Sequence, residues 1–394
     1  MKVLMISGVY YPKINGASVA VSNMIDSLAS RGHHVTLITR REKGSPRFDT
    51  QNGVRIVRVG RPGFQLTSRV GLSLQQFRVA LAEAKSDVPD VIHAHGFTSL
   101  LSGAALGILL SRPVVVNFHG IQRLWSGQAR WRSPLTFQLM FPVEMVLLRR
   151  ASAIIAQSNL LKKIIIQVYA VGEQKVVVVP NPVDVRRFEC APPSPQENPV
   201  VLFVGSLMKV HGPDILVEAA PYVLQRYPGA KLILVGKGPL KKILEKRISE
   251  LGLGSSVLML DEVRDSSRLA DIYRASRLVV IPLRYTGYIL SLVGEEGMAS
   301  GRPFVTTMTL DEELSKFGVP RAGTDGSSLG TAILSVLDWD PERYDEVSRS
   351  ARDYAVKKFS FEAVGENLEN TYERALSIRA KGARREVRQF SSGK

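Results

Sequence analysis

The sequence predicts an α/β protein built as two tandem Rossmann-like domains, each a doubly wound parallel sheet, with a ligand cleft between them. Three observations carry this reading. Short β-branched apolar runs alternate with amphipathic segments along the chain, the pattern of parallel strands joined by helical crossovers. The alternation occurs twice, interrupted at 192–199 by the proline-rich polar stretch PPSPQENP. A length of 394 residues is long for one core and suits two domains of ordinary size.

The first half opens on KVLMIS (2–7). This run is short and leads through a turn into an amphipathic helix, so it reads as a buried strand and not as a signal peptide. SVAVSNMIDSLASRG (18–32) has apolar residues at helical spacing and ends on Arg-Gly, a helix stop. HVTLITR (34–40) is the next strand, and VRIVRVG (54–60) alternates as a half-exposed strand does. PDVIHAHG (89–96), RPVVVNFHG (112–120), ASAIIAQSN (151–159) and KVVVVPNPVD (175–184) each read as a strand running into a loop. The second half repeats this grammar. PVVLFVGS (199–206), AKLILVGKGP (230–239), SVLMLDEV (256–263), RLVVIPL (277–283) and RPFVTT (302–307) are its strands, and GPDILVEAAPYVLQRYPG (212–229) is its first helix. The expected domains are 1–188 and 200–358, with a linker at 189–199, a closing helix at 359–378 and a flexible basic tail at 379–394.

Charge is the strongest compositional signal, with a net +16 and a pI near 10.0. Nucleic acid, an anionic lipid surface or a polyanionic small molecule would each match it. The chain has no zinc-ligand spacing, no RNP-like aromatic strand and no basic zipper, so no nucleic-acid partner is expected. No uninterrupted apolar run approaches the ~18 residues of a membrane-spanning helix. The single cysteine, Cys190, has no partner for an internal disulfide and points to a reducing compartment.

In doubly wound sheets, ligands bind beyond the carboxyl ends of the strands. FVGSLMKVHG (203–212) places Gly205, Ser206, Lys209 and His211 in such a position, just before a helix. Backbone N–H groups and basic side chains there suit a phosphate, although the same turn also serves as a plain connection. LVGKGP (234–239), with Gly236, is a second turn of this kind. In RYTGYILSLVGEEGMASGRP (284–303), Ser291 is placed to cap a helix. Glu295 and Glu296 follow in its first turns, about 100° apart, so only one can face a cleft. Carboxylates at that position either complement the helix dipole or hold a ligand. A carboxylate accepts two hydroxyl protons at once, as a ribose diol requires. Ribose beside phosphate beside a helix N-terminus describes a nucleotide.

With these motifs in place, the chain resembles the retaining family 4 glycosyltransferases, two-domain enzymes of the GT-B fold. The likeness is collinear over nearly the whole chain: Asn15-Gly16 after YYP, SLASRGHHVTLIT, DVIHAHG, VNFHG, AIIAQS, VPNPVD, FVGSL…HG, LVGKGP, EEGMASGRPFV and the closing helix FSFEAVGENLENTYERAL. The resemblance implies a nucleotide-diphosphate sugar held mainly by the second domain and an acceptor held mainly by the first. It implies retention of anomeric configuration, with the diphosphate taking the acceptor's proton, and no metal or other cofactor. By likeness Glu296 holds the ribose hydroxyls, with Glu295 its dipole-favouring neighbour, and Gly16 lets the backbone approach the donor phosphate. His119 lies beside the transferred sugar and is the catalytic candidate, although a strand-end histidine also serves to tie loops. His93 reads as core, His95 as a cleft wall, and His33 and His34 as solvated. The donor set is therefore Gly16, Gly205, Ser206, Lys209, His211, Gly236, Tyr288, Ser291 and Glu296.

Three positions depart from the family pattern. The first Glu of the family's Glu-x7-Glu falls on Tyr288, the usual Arg on Ser206 and the usual Lys on His211. Lys209 and Arg284 are expected to supply the missing cations. The departures keep an alternative open: a GT-B protein that has lost catalysis and serves as a nucleotide-binding or partner subunit. Residues 123–150 mix Arg, Trp and bulky apolar residues and read either as a core helix or as an interfacial patch for anionic lipid. Residues 63–85 extend the acceptor side, and the basic tail offers further reach to lipid. Similar enzymes often act on lipid-linked acceptors, so the expectation is a cytoplasmic protein, peripheral at the inner membrane face.

Overall fold

The computed structural model describes the chain except residues 61–68, 119–133, 190–192, 194, 264, 285–289, 311, 316, 318–322 and 393–394. It divides into two compact units, Met1–Pro182 with Phe361–Lys394, and Val183–Ser360. The expected sites at His119 and Tyr288, and Cys190, lie outside the described residues, as do much of 123–150 and the start of 63–85.

The first unit is built on β1 (Lys2–Ser7), β2 (His34–Arg40), β3 (Phe48–Gln51), β4 (Val54–Val59), β5 (Val91–His95), β6 (Val114–Asn117), β7 (Ala153–Ala156) and β8 (Val176–Val178). Their order in the sheet is β3-β4-β2-β1-β5-β6-β7-β8. Its helices include α1 (Gly16–Ala29), α2 (Arg69–Ser86), α3 (Gly96–Leu109), α4 (Pro134–Arg150) and α5 (Asn159–Tyr169). Only Lys2 of β1 is exposed, as expected for a central strand of a sheet covered on both faces. α1 begins where Asn15 and Ser18 cap each other reciprocally, the Asn15 side chain accepting from the Ser18 N–H and the Ser18 hydroxyl from the Asn15 N–H, both at 2.9 Å. Val21, Met24, Ile25 and Leu28 then form one apolar stripe against Val3 and Met5 of β1.

Two features differ from the sequence reading. β3 is an antiparallel edge strand on β4, and its FDTQ sequence is too polar to signal a strand. β4 is not half-exposed, because only Arg55 faces solvent. Arg58 is 3% exposed, and its guanidinium is paid for by Asp49 at 3.2 Å and the Pro46 carbonyl at 3.3 Å.

The second unit is a parallel sheet of β9 (Val200–Val204), β10 (Lys231–Val235), β11 (Val257–Leu260), β12 (Leu278–Ile281) and β13 (Phe304–Thr306), in the order β11-β10-β9-β12-β13. Its helices include α6 (Pro213–Arg226), α7 (Lys241–Glu250), α8 (Ser266–Ala275), α9 (Leu292–Ala299), α10 (Glu312–Ser315), α11 (Gly326–Leu337) and α12 (Pro341–Phe359). Its core gathers Val201 and Phe203 of β9, Leu216 of α6, Leu329 of α11, Trp339 and Tyr344. The proline-rich stretch 189–199 falls inside this unit.

The last helix, α13 (Phe361–Ser392), returns to the first unit. Val364, Leu368, Tyr372 and Ala375 recur at helical spacing and join the core formed by α1 and the sheet. Full burial of a side chain such as Leu368 contributes about 1.5–3 kcal/mol. The Tyr372 hydroxyl lies 2.7 Å from Nδ1 of His93, which is fully buried, so His93 is a core residue as expected. Arg31 of the α1 end binds Glu369 at 2.9 Å. The tail expected to be flexible continues this helix as far as Ser392. His33 is not solvated. It is buried, with Nδ1 3.1 Å from the Met1 ammonium and Nε2 3.6 Å from Glu369. Burial first, and then that ammonium, lower its pKa. Among the described residues no helix is long and apolar enough to cross a membrane.

The strand order turns back between β1 and β5 in the first sheet and between β9 and β12 in the second. Each sheet therefore opens a crevice at its carboxyl end at that point.

Candidate functional site

At the switch point of the second sheet, the loops after β9, β10 and β12 are tied into one floor. The Arg284 N–H donates to the Val210 carbonyl at 2.9 Å, Leu207 N–H to Lys237 at 2.8 Å and Leu240 N–H to Leu207 at 3.0 Å. The floor is tight enough to demand glycine. A Cβ on Gly236, at φ +152°, would stand 1.9 Å from the Gly205 carbonyl oxygen, and one on Gly212, at φ +67°, would stand 1.9 Å from that of Pro282. Loop packing alone therefore accounts for Gly236.

The charges on this floor are already engaged. Lys209 Nζ lies 2.7 Å from Asp214 Oδ2, and Arg284 pairs with Asp214 Oδ1 while donating to the Lys209 carbonyl at 3.1 Å. Burial pushes the Asp214 pKa up, but hydrogen bonds from Arg284 and then Lys209 outweigh it and hold the carboxyl below its ordinary range. Lys209 and Arg284 are thus not free cations, as the sequence reading had them. One carboxylate is shared by both, leaving one positive charge beside the N-terminus of α6. His211 does not replace a lysine, because burial lowers its pKa and keeps it neutral near pH 7. Ser206 is half-buried, and its carbonyl accepts from the Met208 N–H at 2.7 Å.

Glu296 is the most distinctive group here. It is 7% exposed, and its Oε2 accepts a 2.8 Å hydrogen bond from the hydroxyl of Tyr273, which is fully buried on α8. Phe188 holds the Tyr273 ring edge-on, with centroids 5.4 Å apart. Burial raises the Glu296 pKa to about 7, against the Tyr273 hydrogen bond and the Arg187 charge, which both lower it. Among the described residues no group bonds Oε1. Glu295 stands in the first turn of α9, where a carboxylate is favoured, but at 1% exposure it faces the interior.

Ser291 occupies the cap position of α9, but its hydroxyl makes no capping bond, which corrects the expected role. The Ser291 carbonyl accepts from Gly294 at 2.8 Å and Glu295 at 3.1 Å, while the buried Oγ has no partner among the described residues. No side chain of the cap therefore satisfies the leading N–H groups of α9, which lie at the carboxyl end of β12.

In the first unit, Gly16 opens α1 after the β1 loop. Among the described residues a Cβ there would meet nothing within 4 Å, so their packing does not require glycine. A polar row crosses the carboxyl ends of β5, β6 and β7. His95 Nδ1 lies 3.4 Å from Asn117 Nδ2, and Gln157 donates to Asn117 Oδ1 at 2.5 Å. All three are buried. The sequence reading chose His95 and missed Asn117 and Gln157. Their signal was present: in VVVN and AIIAQ a polar side chain closes an apolar strand.

Both the sequence and the fold resemble known proteins. The model of Glycosyltransferase Family 4 matches residues 14–187, and that of Glycosyl transferases group 1 matches 198–338. A glycogen synthase of Mycobacterium tuberculosis is 26% identical over 94% of each chain. Sucrose-phosphate synthase from Thermosynechococcus elongatus superposes with a TM-score of 0.77 at 20% identity, covering 96% of this chain and 99% of that one. HepE from Anabaena, solved in complex with UDP-glucose, superposes with a TM-score of 0.69 at 20% identity, covering 95% and 99%.

Proposed function

The chain belongs to the family 4, group 1 glycosyltransferases and has their GT-B fold, and from that premise we propose that it moves a sugar from a nucleotide-diphosphate sugar to an acceptor hydroxyl with retention of configuration. The observation that carries the donor side is Glu296. Its Oε2 is committed to Tyr273 at 2.8 Å, which leaves Oε1 for the ribose hydroxyls. The uncapped N-terminus of α9, the buried Ser291 hydroxyl and the net positive Lys209–Asp214–Arg284 cluster give a diphosphate its donors. The open space at Gly16 fits a phosphate approached by backbone N–H groups. The row of His95, Asn117 and Gln157 supports a hydroxyl-bearing acceptor in the first unit, and by family likeness His119 stands beside the transferred sugar.

In the reaction, the bond from the anomeric carbon to the diphosphate oxygen breaks. The acceptor oxygen bonds to that carbon on the same face, and the acceptor's proton passes to the departing diphosphate. The test is turnover with UDP-, GDP- and ADP-linked α-sugars and a panel of hydroxyl acceptors, with the product anomer read by NMR. An α-linked product is expected, and a β-linked product contradicts retention.

One observation favours a second reading, a nucleotide-binding subunit without turnover. Asp214 neutralises half of the charge that replaces the family's Arg and Lys. Nucleotide binding without transfer to any acceptor, or hydrolysis of any donor, identifies that case.

A further inference from the structure

Exposed aliphatic side chains gather at the pole of the first unit opposite its strand carboxyl ends. Ile108 and Leu109, in the last turn of α3, are 64% and 59% exposed. Val146 of α4 is 46% exposed and Ile378 of α13 is 49% exposed. These elements meet through hydrogen bonds. Arg379 of α13 donates to the Ser111 carbonyl just beyond α3 at 3.0 Å. Arg374 donates to Gln174 at 2.8 Å. Lys175 donates to the Ala151 carbonyl, just beyond α4, at 3.2 Å and also to that of Arg149. Residues 110–113, 151–152 and 173–175 immediately precede β6, β7 and β8, which are neighbours in the sheet. The face is therefore continuous across three adjacent strand starts.

The same face is strongly basic. Arg112, Arg149, Arg150, Lys175, Arg374 and Arg379 stand at these helix ends and strand starts or bond to them. Glu173, bound by Lys162 at 3.3 Å, and Glu373 oppose them. Beyond the face, the sequence of α13 adds Lys381, Arg384, Arg385 and Arg388.

We propose that this pole is a docking surface for an anionic lipid bilayer, with Ile108, Leu109, Val146 and Ile378 entering the headgroup region and the arginines meeting lipid phosphates. Aliphatic and cationic groups at one level match the two signals that hold a peripheral protein on a membrane. A nucleic-acid groove would call for stacking aromatics in place of exposed aliphatic residues. Docking through it leaves the carboxyl-end crevice of the unit facing away from the bilayer.

The test is co-sedimentation of the full chain with phosphatidylcholine vesicles, alone or mixed with phosphatidylglycerol. The chain pellets with the mixed vesicles and not with the neutral ones. Arg149→Glu with Arg150→Glu lowers the affinity at least about tenfold. Lys242→Glu with Lys246→Glu, an equal charge change on α7 of the second unit, lowers it much less. Ile108→Ser with Leu109→Ser removes the binding that survives high salt. Melting temperatures are read for every variant, and Arg149→Gln with Arg150→Gln replaces the reversal if that unfolds. Three results overturn the proposal: no preference for anionic vesicles, equal loss in the α7 control, or salt-resistant binding unchanged in the aliphatic variant. Equal retention on soluble heparin, without an effect of the aliphatic variant, marks a generic polyanion site and overturns it too.

Discussion

The Tyr273 hydroxyl donates to Oε2 of Glu296 at 2.8 Å with both residues buried, and this pair links the packing of α8 to the chemistry at the start of α9. A buried carboxyl is costly to ionise. The hydrogen bond lowers that cost and leaves Oε1 as the oxygen without a bond among the described residues.

The first prediction concerns stability and pH. Glu296 titrates near 7 when folded and near 4.5 when unfolded. Between those values the folded chain holds the extra proton, so stability falls as pH rises through that window. The loss amounts to about 3 kcal/mol. Glu296→Gln removes this slope and melts above the wild type at pH 8. Equal melting temperatures of the two proteins from pH 5 to pH 8 would show that Glu296 ionises freely.

Nucleotide affinity runs the other way. Ribose hydroxyls need the ionised carboxylate as acceptor, so affinity rises with pH through about 7. Tyr273→Phe moves that midpoint upward and weakens binding about tenfold at pH 7. The loss is confined to ribonucleotides. A 2′,3′-dideoxynucleotide that loses as much affinity would make Tyr273 merely structural.

The charged floor gives a separate prediction. Lys209→Ala or Arg284→Ala weakens a nucleoside diphosphate by about tenfold while leaving the nucleoside unaffected. Asp214→Asn destabilises the fold by about 1–2 kcal/mol at pH 7. The Asp214 pKa is depressed on folding, so that contribution exists above the unfolded value near 3.8 and disappears as pH falls through the folded one. Equal losses for nucleoside and diphosphate would remove these cations from phosphate binding.

Two glycines should separate packing from binding. Gly236→Ala forces a Cβ toward the Gly205 carbonyl and costs about 1–3 kcal/mol of stability. A Cβ at Gly16 meets no described atom within 4 Å, so Gly16→Ala keeps stability within about 1 kcal/mol while donor binding weakens. A Gly16 variant that binds nucleotide-sugar normally would show the open space to be incidental.

The alternation of strands and helices was legible because both sheets, the β3 edge apart, are parallel and covered, which forces continuous apolar runs such as KVLMI and VVLFV. The β3 edge was not, since FDTQ owes its place to pairing with β4 and not to any pattern of its own. The pair Glu295-Glu296 was legible as two carboxylates ahead of a Gly-Arg-Pro stop, and the choice between them rested on the family likeness. The Glu296 partner Tyr273 was not, because one tyrosine among the apolar positions of α8 carries no sign that its hydroxyl points inward. The engagement of Lys209 and Arg284 by Asp214 is likewise a matter of three-dimensional placement. From the sequence, Asp214 reads only as a residue favoured in a first helical turn. Asn117 and Gln157 were readable as strand-end polar residues, but their mutual hydrogen bond required the register of β6 and β7.

The most direct test of the account is calorimetric titration of UDP, GDP and ADP into the wild type and Glu296→Ala at pH 8, with folding checked by thermal melt. The account predicts that one nucleotide binds and that the substitution weakens it at least about tenfold, while leaving the protein as stable as the wild type or more so. A folded wild type that binds none of the three, or a Glu296→Ala variant that binds as the wild type does, would contradict it.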